Sequence, residues 1–259
     1  MAATTWNPAV YLDCGDERLR PAVDLLARVP LEAPQRVVDL GCGPGNATRL
    51  LSERWPGAET FGVDSSPEML ARARASGLSV EWLAADLAEW RPERPFDLIY
   101  ANAVLHWLDH HDALVPRLLR FLRPGGVLAV QMPRNFAAPS HRLLRATAEG
   151  GPWAARLRGV LREEPVASPA FYFELLNARS QSVDIWETDY LHVLQGADPV
   201  LAWARGTALR PVMDALDKEA FRTFEAAYAA RLRQAYPQRA DGTTLFGFRR
   251  LFIVARAKS

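Results

Sequence analysis

The stretch "VVDLGCGPGNAT", Val37 to Thr48, carries the reading of this 259-residue chain. An apolar run stops at an acid, Asp39, and glycines then arrive at alternate positions, Gly41, Gly43 and Gly45. Glycine admits positive φ and puts no Cβ in the way, so the backbone here is open to a closely held ligand. "RVVDL" (36–40) reads as the strand entering the turn and "NATRLLSERW" (46–55) as the helix leaving it. The start of that helix offers free N–H groups and a partial positive charge. A phosphate would fit, and so would a carboxylate.

Three features narrow the choice. No Gly-Lys-Ser/Thr follows the turn, which excludes a P-loop. The spacing is G-x-G-x-G, with Asn46 standing where a dinucleotide fingerprint has its third glycine. Asp39, just before the first glycine, would repel a pyrophosphate but suits an amino group. A ligand end bearing both an ammonium and a carboxylate matches, and S-adenosyl-L-methionine has that end.

Working outward, "AETFGVD" (58–64) is a second strand that ends in Asp64, where an acid accepts ribose hydroxyls. "SPEMLARARASG" (66–77) is a helix with Ser66 as N-cap, Pro67 at its first position and Gly77 as its stop. "LSVEWLAAD" (78–86) ends in Asp86, placed to accept from an adenine amino group. "PFDLIYAN" (95–102) and "GVLAVQMP" (126–133) are the fourth and fifth strands. Between them "DALVPRLLRFLRPGG" (112–126) reads as a helix with Leu114, Val115, Leu118, Leu119 and Leu122 on one face. Apolar strands alternating with helices make an α/β, doubly wound, mostly parallel sheet covered on both faces.

Beyond Pro133 the pattern changes. Residues 137–178 read as helix and loop, "QSVDIWETDYLHVL" (181–194) as a long strand, and 198–235 as helix again. In the last of these Phe221, Phe224, Tyr228, Leu232 and Ala235 recur at helical spacing. "TLFGFRRLFIVARA" (244–257) is the final strand. The chain thus divides, within a single domain, into an N-terminal segment (1–35), a cofactor-binding core (36–132), a helical cap (137–178 and 195–243) and a last strand (244–257).

A formal net charge of +1 provides no global field for nucleic acid or an acidic membrane, so neither is expected as a partner. No apolar run approaches the roughly 18 residues that span a bilayer. The first residues lack a signal peptide's apolar centre, and two cysteines, Cys14 and Cys42, cannot build a disulfide framework. A cytoplasmic protein, monomer or weak homodimer, is expected. "HWLDHHD" (106–112) invites a metal reading, but His110 and His111 are adjacent and diverge on a helix, so no metal is expected and Asp112 reads as a solvated helix start.

In order along the chain, "VVDLGCGPGN", "GVDSSPEML", "AADLAEW", "FDLIYANAVLHWL" and "LRPGGVLAVQ" resemble the motifs of class I S-adenosylmethionine-dependent methyltransferases. The resemblance implies a Rossmann-like sheet of seven strands whose last is antiparallel, with helical cap insertions before and after the sixth. It implies cofactor contacts from Asp39, Gly41, Cys42, Gly43, Gly45, Asn46, Asp64, Ser65, Met69, Asp86, Leu87 and Asn102. More narrowly, "WNPAVYLD", "QMPRN", "VDIWETDYLH", "GTALRP" and "RLFIVAR" make the chain similar to the trans-aconitate 2-methyltransferase family. The acceptor this implies is a small polycarboxylate, most simply trans-aconitate, giving a monomethyl ester. The alternative is another small molecule, a phenol, quinone precursor or fatty acyl group.

A carboxylate nucleophile is already ionised at neutral pH, its ordinary pKa being about 4, so no general base is needed. Methyl transfer then needs alignment, exclusion of water, and cationic partners for the carboxylates that do not react. By resemblance the N-terminal segment contributes Trp6, Tyr11 and Arg18, with Arg20 nearby, and the turn after the fourth strand brings His106 and Trp107 as positioning groups. The fifth strand's end offers Gln131, Arg134 and Asn135, and the later stretches offer Tyr172, Trp203, Thr207, Arg210, Arg249 and Arg250. Strand alternation sends Arg249 and Arg250 to opposite faces, so at most one enters the pocket.

Overall fold

Every residue of β1 (Arg36–Leu40) is buried, as a strand covered on both faces requires. The computed structural model, which describes residues 19–259, places that strand inside a seven-stranded sheet of order β3-β2-β1-β4-β5-β7-β6. The other strands are β2 (Glu59–Asp64), β3 (Glu81–Ala84), β4 (Phe96–Asn102), β5 (Leu122–Pro133), β6 (Ser180–Gln195) and β7 (Thr243–Ala257). β1 to β5 pair in parallel, with Leu40 beside Val63, Asp39 beside Tyr100 and Asn102 beside Gln131. Their carboxyl ends therefore share one edge, and strand order reverses between β1 and β4, where open α/β sheets bind ligands.

The last strands run the other way. Arg134 N–H donates to the Arg249 carbonyl and Gly125 N–H to the Lys258 carbonyl, so rising numbers on β5 meet falling ones on β7. Asp189 pairs with Arg249 while Trp186 stacks on Phe252, which makes β6 and β7 antiparallel as well.

Three expectations need adjusting. Helix α4 (His111–Leu119) ends before Leu122, which belongs to β5 and sits opposite Phe96. The residue before proline avoids the helical region, and the strand takes up Pro124-Gly125-Gly126 as a register shift between Phe96 and Leu98 instead. β3 spans only Glu81–Ala84, because it lies at the sheet edge and Val80 N–H turns back to the Leu78 carbonyl. The third concerns α4's start: His110, with φ of 56°, is its N-cap, and Asp112 falls in the first turn without capping it.

The remaining helices before β6 are α1 (Arg20–Ala27), α2 (Asn46–Arg54), α3 (Pro67–Ala75), α5 (Pro139–Glu149), α6 (Ala154–Leu157) and α7 (Pro169–Asn177). After it come α8 (Pro199–Arg205), α9 (Arg210–Ala215) and α10 (Lys218–Ala235). The Ser66 hydroxyl caps α3 by accepting from Met69 N–H, with Pro67 following, as its sequence demands.

The residues divide into two compact units. The first holds residues up to Met132 with Val166–Glu187 and Arg250–Ser259; the second holds Pro133–Pro165 and Thr188–Arg249. Residues 166–187, including α7, thus group with the parallel sheet rather than with the other cap helices. The second unit has its own apolar core, in which Trp153, Leu201, Phe224, Tyr228, Leu232 and Phe246 are buried. The buried face of α10 stops at Leu232; Ala235, read as its continuation, is exposed.

Candidate active site

The turn after β1 is built from its own hydrogen bonds. Gly41 and Cys42 N–H groups both donate to the Val63 carbonyl, at 2.7 and 3.1 Å, fastening the turn to β2. Gly41 has φ of 66°, and a Cβ there would stand 2.2 Å from Val104 Cγ2, so only glycine fits. Gly43 differs: its φ is 53° but nothing among the described residues lies within 4 Å of where its Cβ would be. The described residues leave that side of the turn open, which is the space a ligand lying on the backbone would use. Gly45 then serves as N-cap of α2 and provides no side chain to occupy the helix's free N–H groups.

The acids of this edge are held by the chain itself. Asp39, 1% exposed, accepts from the Thr48 hydroxyl at 2.6 Å. Burial pushes its carboxyl up to about 7; the Thr48 hydroxyl opposes the rise and the charge of Asp64 adds to it. An ammonium nearby would reverse that rise, so the residue is suited to a cation. Asp64 accepts from Gly43 N–H at 2.9 Å and from Ser66 N–H at 2.8 Å, which joins β2's end to the glycine turn. Asp86, exposed, accepts from Ala88 N–H at 2.9 Å. Cys42 is buried, and that burial, with Asp39 and Asp64 beside it, pushes its thiol up, so it is no nucleophile. Asn46 and Ser65 are exposed, Met69 is half-buried and Leu87 buried.

Two contributors were missed from sequence. Arg117, on α4, donates to the carbonyls of Leu87 and Ala88 and fixes the loop that carries Asp86. Trp82 on β3 lies against the glycine turn, 2.9 Å from where a Gly45 Cβ would be. Neither residue belongs to a motif whose spacing names it.

Further along the same edge the polar groups lack partners. Among the described residues Asn102 Oδ1 and Gln131 Nε2 are buried without a hydrogen bond, although the two residues sit side by side at the ends of β4 and β5. Arg250, 8% exposed on β7, brings Nη1 to 3.5 Å from Gln131 Oε1. Arg249 goes the other way into an exposed ion pair with Asp189 at 2.8 Å, as strand alternation requires. Buried polar groups in native proteins are nearly always satisfied, so these two atoms, unpartnered among the described residues, are candidates for contact with a polar ligand.

Not every candidate joins this edge. The Tyr172 side chain is fully buried, and its hydroxyl meets His111 Nδ1 and accepts from Ala167 N–H. His111 is likewise buried. In the second unit Asn135 is buried with both ends of its amide unpartnered among the described residues. Trp203 packs in that unit's aromatic cluster, its ring 4.5 Å from His192, while Arg210 and Thr207 are exposed. Arg134 is half-buried and Arg20 exposed. Trp6, Tyr11 and Arg18 lie outside the described residues. Among the described residues no group of three or more His, Cys, Asp or Glu is placed to hold a metal ion, and no helix is long and apolar enough to cross a membrane.

A doubly wound sheet in this order, with a glycine turn at the reversal point and acids at the next two strand ends, defines a class I S-adenosylmethionine-dependent methyltransferase. Residues 37–126 match the family described as a methyltransferase domain. The YcgJ protein of Bacillus subtilis has the same fold, with a TM-score of 0.61 over 92% of this chain and 98% of that one at 15% identity. The chain is 53% identical to the trans-aconitate 2-methyltransferase of Azoarcus sp. (strain BH72) over 251 residues, 97% of this chain and 98% of that protein. It is 54% identical to the protein of the same name from Methylobacterium nodulans, over 97% and 98% of the two chains. The chain belongs to the trans-aconitate 2-methyltransferase family.

Proposed function

We propose that the protein transfers the methyl group of S-adenosyl-L-methionine to one carboxylate of trans-aconitate, giving the monomethyl ester. The end-to-end identity of more than half to two proteins of that name carries this reading. The cofactor, when bound, would supply a sulfonium methyl whose carbon the carboxylate attacks in line, with S-adenosylhomocysteine leaving as a neutral thioether.

Asp39 and the backbone of Gly41 to Asn46 hold the amino-acid tail. Asp64 takes the ribose with Ser65 and Met69 beside it, and Asp86 and Leu87 flank the adenine. Open space at Gly43 and the cation-seeking Asp39 support that assignment. Asn102, His106 and Trp107 line the approach to the reacting carbon. Gln131 Nε2 and the Arg250 guanidinium grip carboxylates that do not react; forked, charged donors do this best.

No residue needs to act as a base, because the acceptor is an anion before it binds. Opposite charges neutralise each other as the bond forms, so a dry, prealigned site accelerates the step. A labelled-methyl assay across polycarboxylates and phenols tests the proposal. Label is expected in a trans-aconitate monoester, at a rate level from neutral pH upward. Label only in a phenol, with a rate rising steeply through the histidine range, would overturn it.

A further inference from the structure

We propose that His111 and Tyr172 are positioning residues for this reaction: a relay of hydrogen bonds through them fixes the turn that carries His106 and Trp107. The inference rests on the methyl-transfer reading for its kinetic arm only.

Among the described residues the hydrogen bonds run in one direction. His111 Nε2 lies 2.8 Å from the Leu105 carbonyl, which can only accept, so that nitrogen carries the proton. Nδ1 then presents a lone pair to the Tyr172 hydroxyl at 2.6 Å. The Tyr172 oxygen in turn accepts from Ala167 N–H at 3.2 Å. Donors thus point from Ala167 through Tyr172 and His111 to Leu105, and bonds aligned head to tail strengthen one another.

What the relay ends on is a strained turn. Ala103 and His110, neither of them glycine, both have φ of 56°. Such conformations persist only where the surroundings hold them, and they collect where geometry matters to function. The 3₁₀ turn Leu105–Trp107 hangs between these two residues. Ala103 N–H is tied to the Gln131 carbonyl at 2.9 Å, and Val104 packs where a Gly41 Cβ would go. His111 supplies the third tie. Inside this frame the rings of His106 and Trp107 lie 4.8 Å apart, and Trp107 remains 52% exposed. A pair that served packing alone would have no need to end on this particular carbonyl.

Tyr172→Phe keeps the ring and removes the hydroxyl. It is expected to lower kcat about threefold to tenfold, with acceptor KM and S-adenosylhomocysteine affinity within about twofold. His111→Gln, which keeps a donor for the Leu105 carbonyl, should retain more activity than His111→Ala. Combining Tyr172→Phe with His111→Ala should cost no more than His111→Ala alone, since both break one relay. Independently of any acceptor, the ¹⁹F signal of 5-fluorotryptophan at position 107, assigned with Trp107→Phe, should shift or broaden in Tyr172→Phe. A wild type that methylates no carboxylate would sink the reaction while leaving this signal to report on the turn. An unmoved ¹⁹F signal, or activity losses that merely follow a lowered melting temperature, would overturn the positioning role.

Discussion

At the ends of β1 to β3 the acids are already engaged: Asp39 by Thr48, Asp64 by Gly43 and Ser66, Asp86 by Ala88. At the ends of β4 and β5, Asn102 Oδ1 and Gln131 Nε2 are buried and, among the described residues, without a hydrogen bond. One stretch of the edge is preorganised by its own backbone, and a ligand there displaces little. The other carries an energetic debt, on the order of 1–3 kcal/mol for each buried group left unmade, which a polar ligand would relieve. In the proposed reading, cofactor binding and acceptor selectivity therefore draw on different physics on one sheet.

That contrast can be broken from either side. The largest effect is expected at the engaged end. Gly41→Ala places a methyl against Val104 in a left-handed conformation, a cost of about 3 kcal/mol, so titration calorimetry should show S-adenosylhomocysteine affinity falling about a hundredfold. Retained affinity would mean the turn is not as rigid as its hydrogen bonds imply. At the waiting end, Gln131→Leu is nearly isosteric and removes an unsatisfied buried amide. Acceptor kcat/KM should drop about ten- to thirtyfold while the melting temperature changes little, because the Nε2 bond is made only with ligand and the contact given up with Arg250 is long, at 3.5 Å. A fall in stability with unchanged kinetics would assign Gln131 to structure.

The smallest effect separates the ends by pH. Asp39 is largely protonated in the free protein below its raised pKa of about 7 and ionised beside an ammonium, so product binding should release a proton near pH 6. Affinity should weaken as pH falls below 7, by at most about tenfold per unit, and Asp39→Asn should flatten that slope. The sign is opposite for the free fold: a raised carboxyl pKa adds stability below the ordinary value of 3.8, and that stability is lost as pH rises through about 7.

The engaged end was legible in the sequence because local rules wrote it. Glycines at fixed spacing, an acid closing each strand, and Ser66-Pro67 opening α3 are signals a few residues long. The waiting end was legible only by residue type. That Gln131 and Arg250 meet, while Arg249 turns to Asp189, depends on β7 lying beside β5, a pairing of residues 119 apart. The partner of Tyr172 was hidden for the same reason. An aromatic in a helical stretch gives no sign that its hydroxyl will find His111, 61 residues earlier. Leu122 was misread because its apolar spacing continued the helix while the proline ahead had already ended it.

The interior position of β7 shapes how this protein must be made. Although last of the strands in chain order, it occupies the slot between β5 and β6. A ribosome therefore releases β5 and β6 long before the piece that joins them, and each meanwhile shows a bare row of backbone donors and acceptors to its neighbours. Synthesis stalled short of Thr243 would leave two adhesive borders.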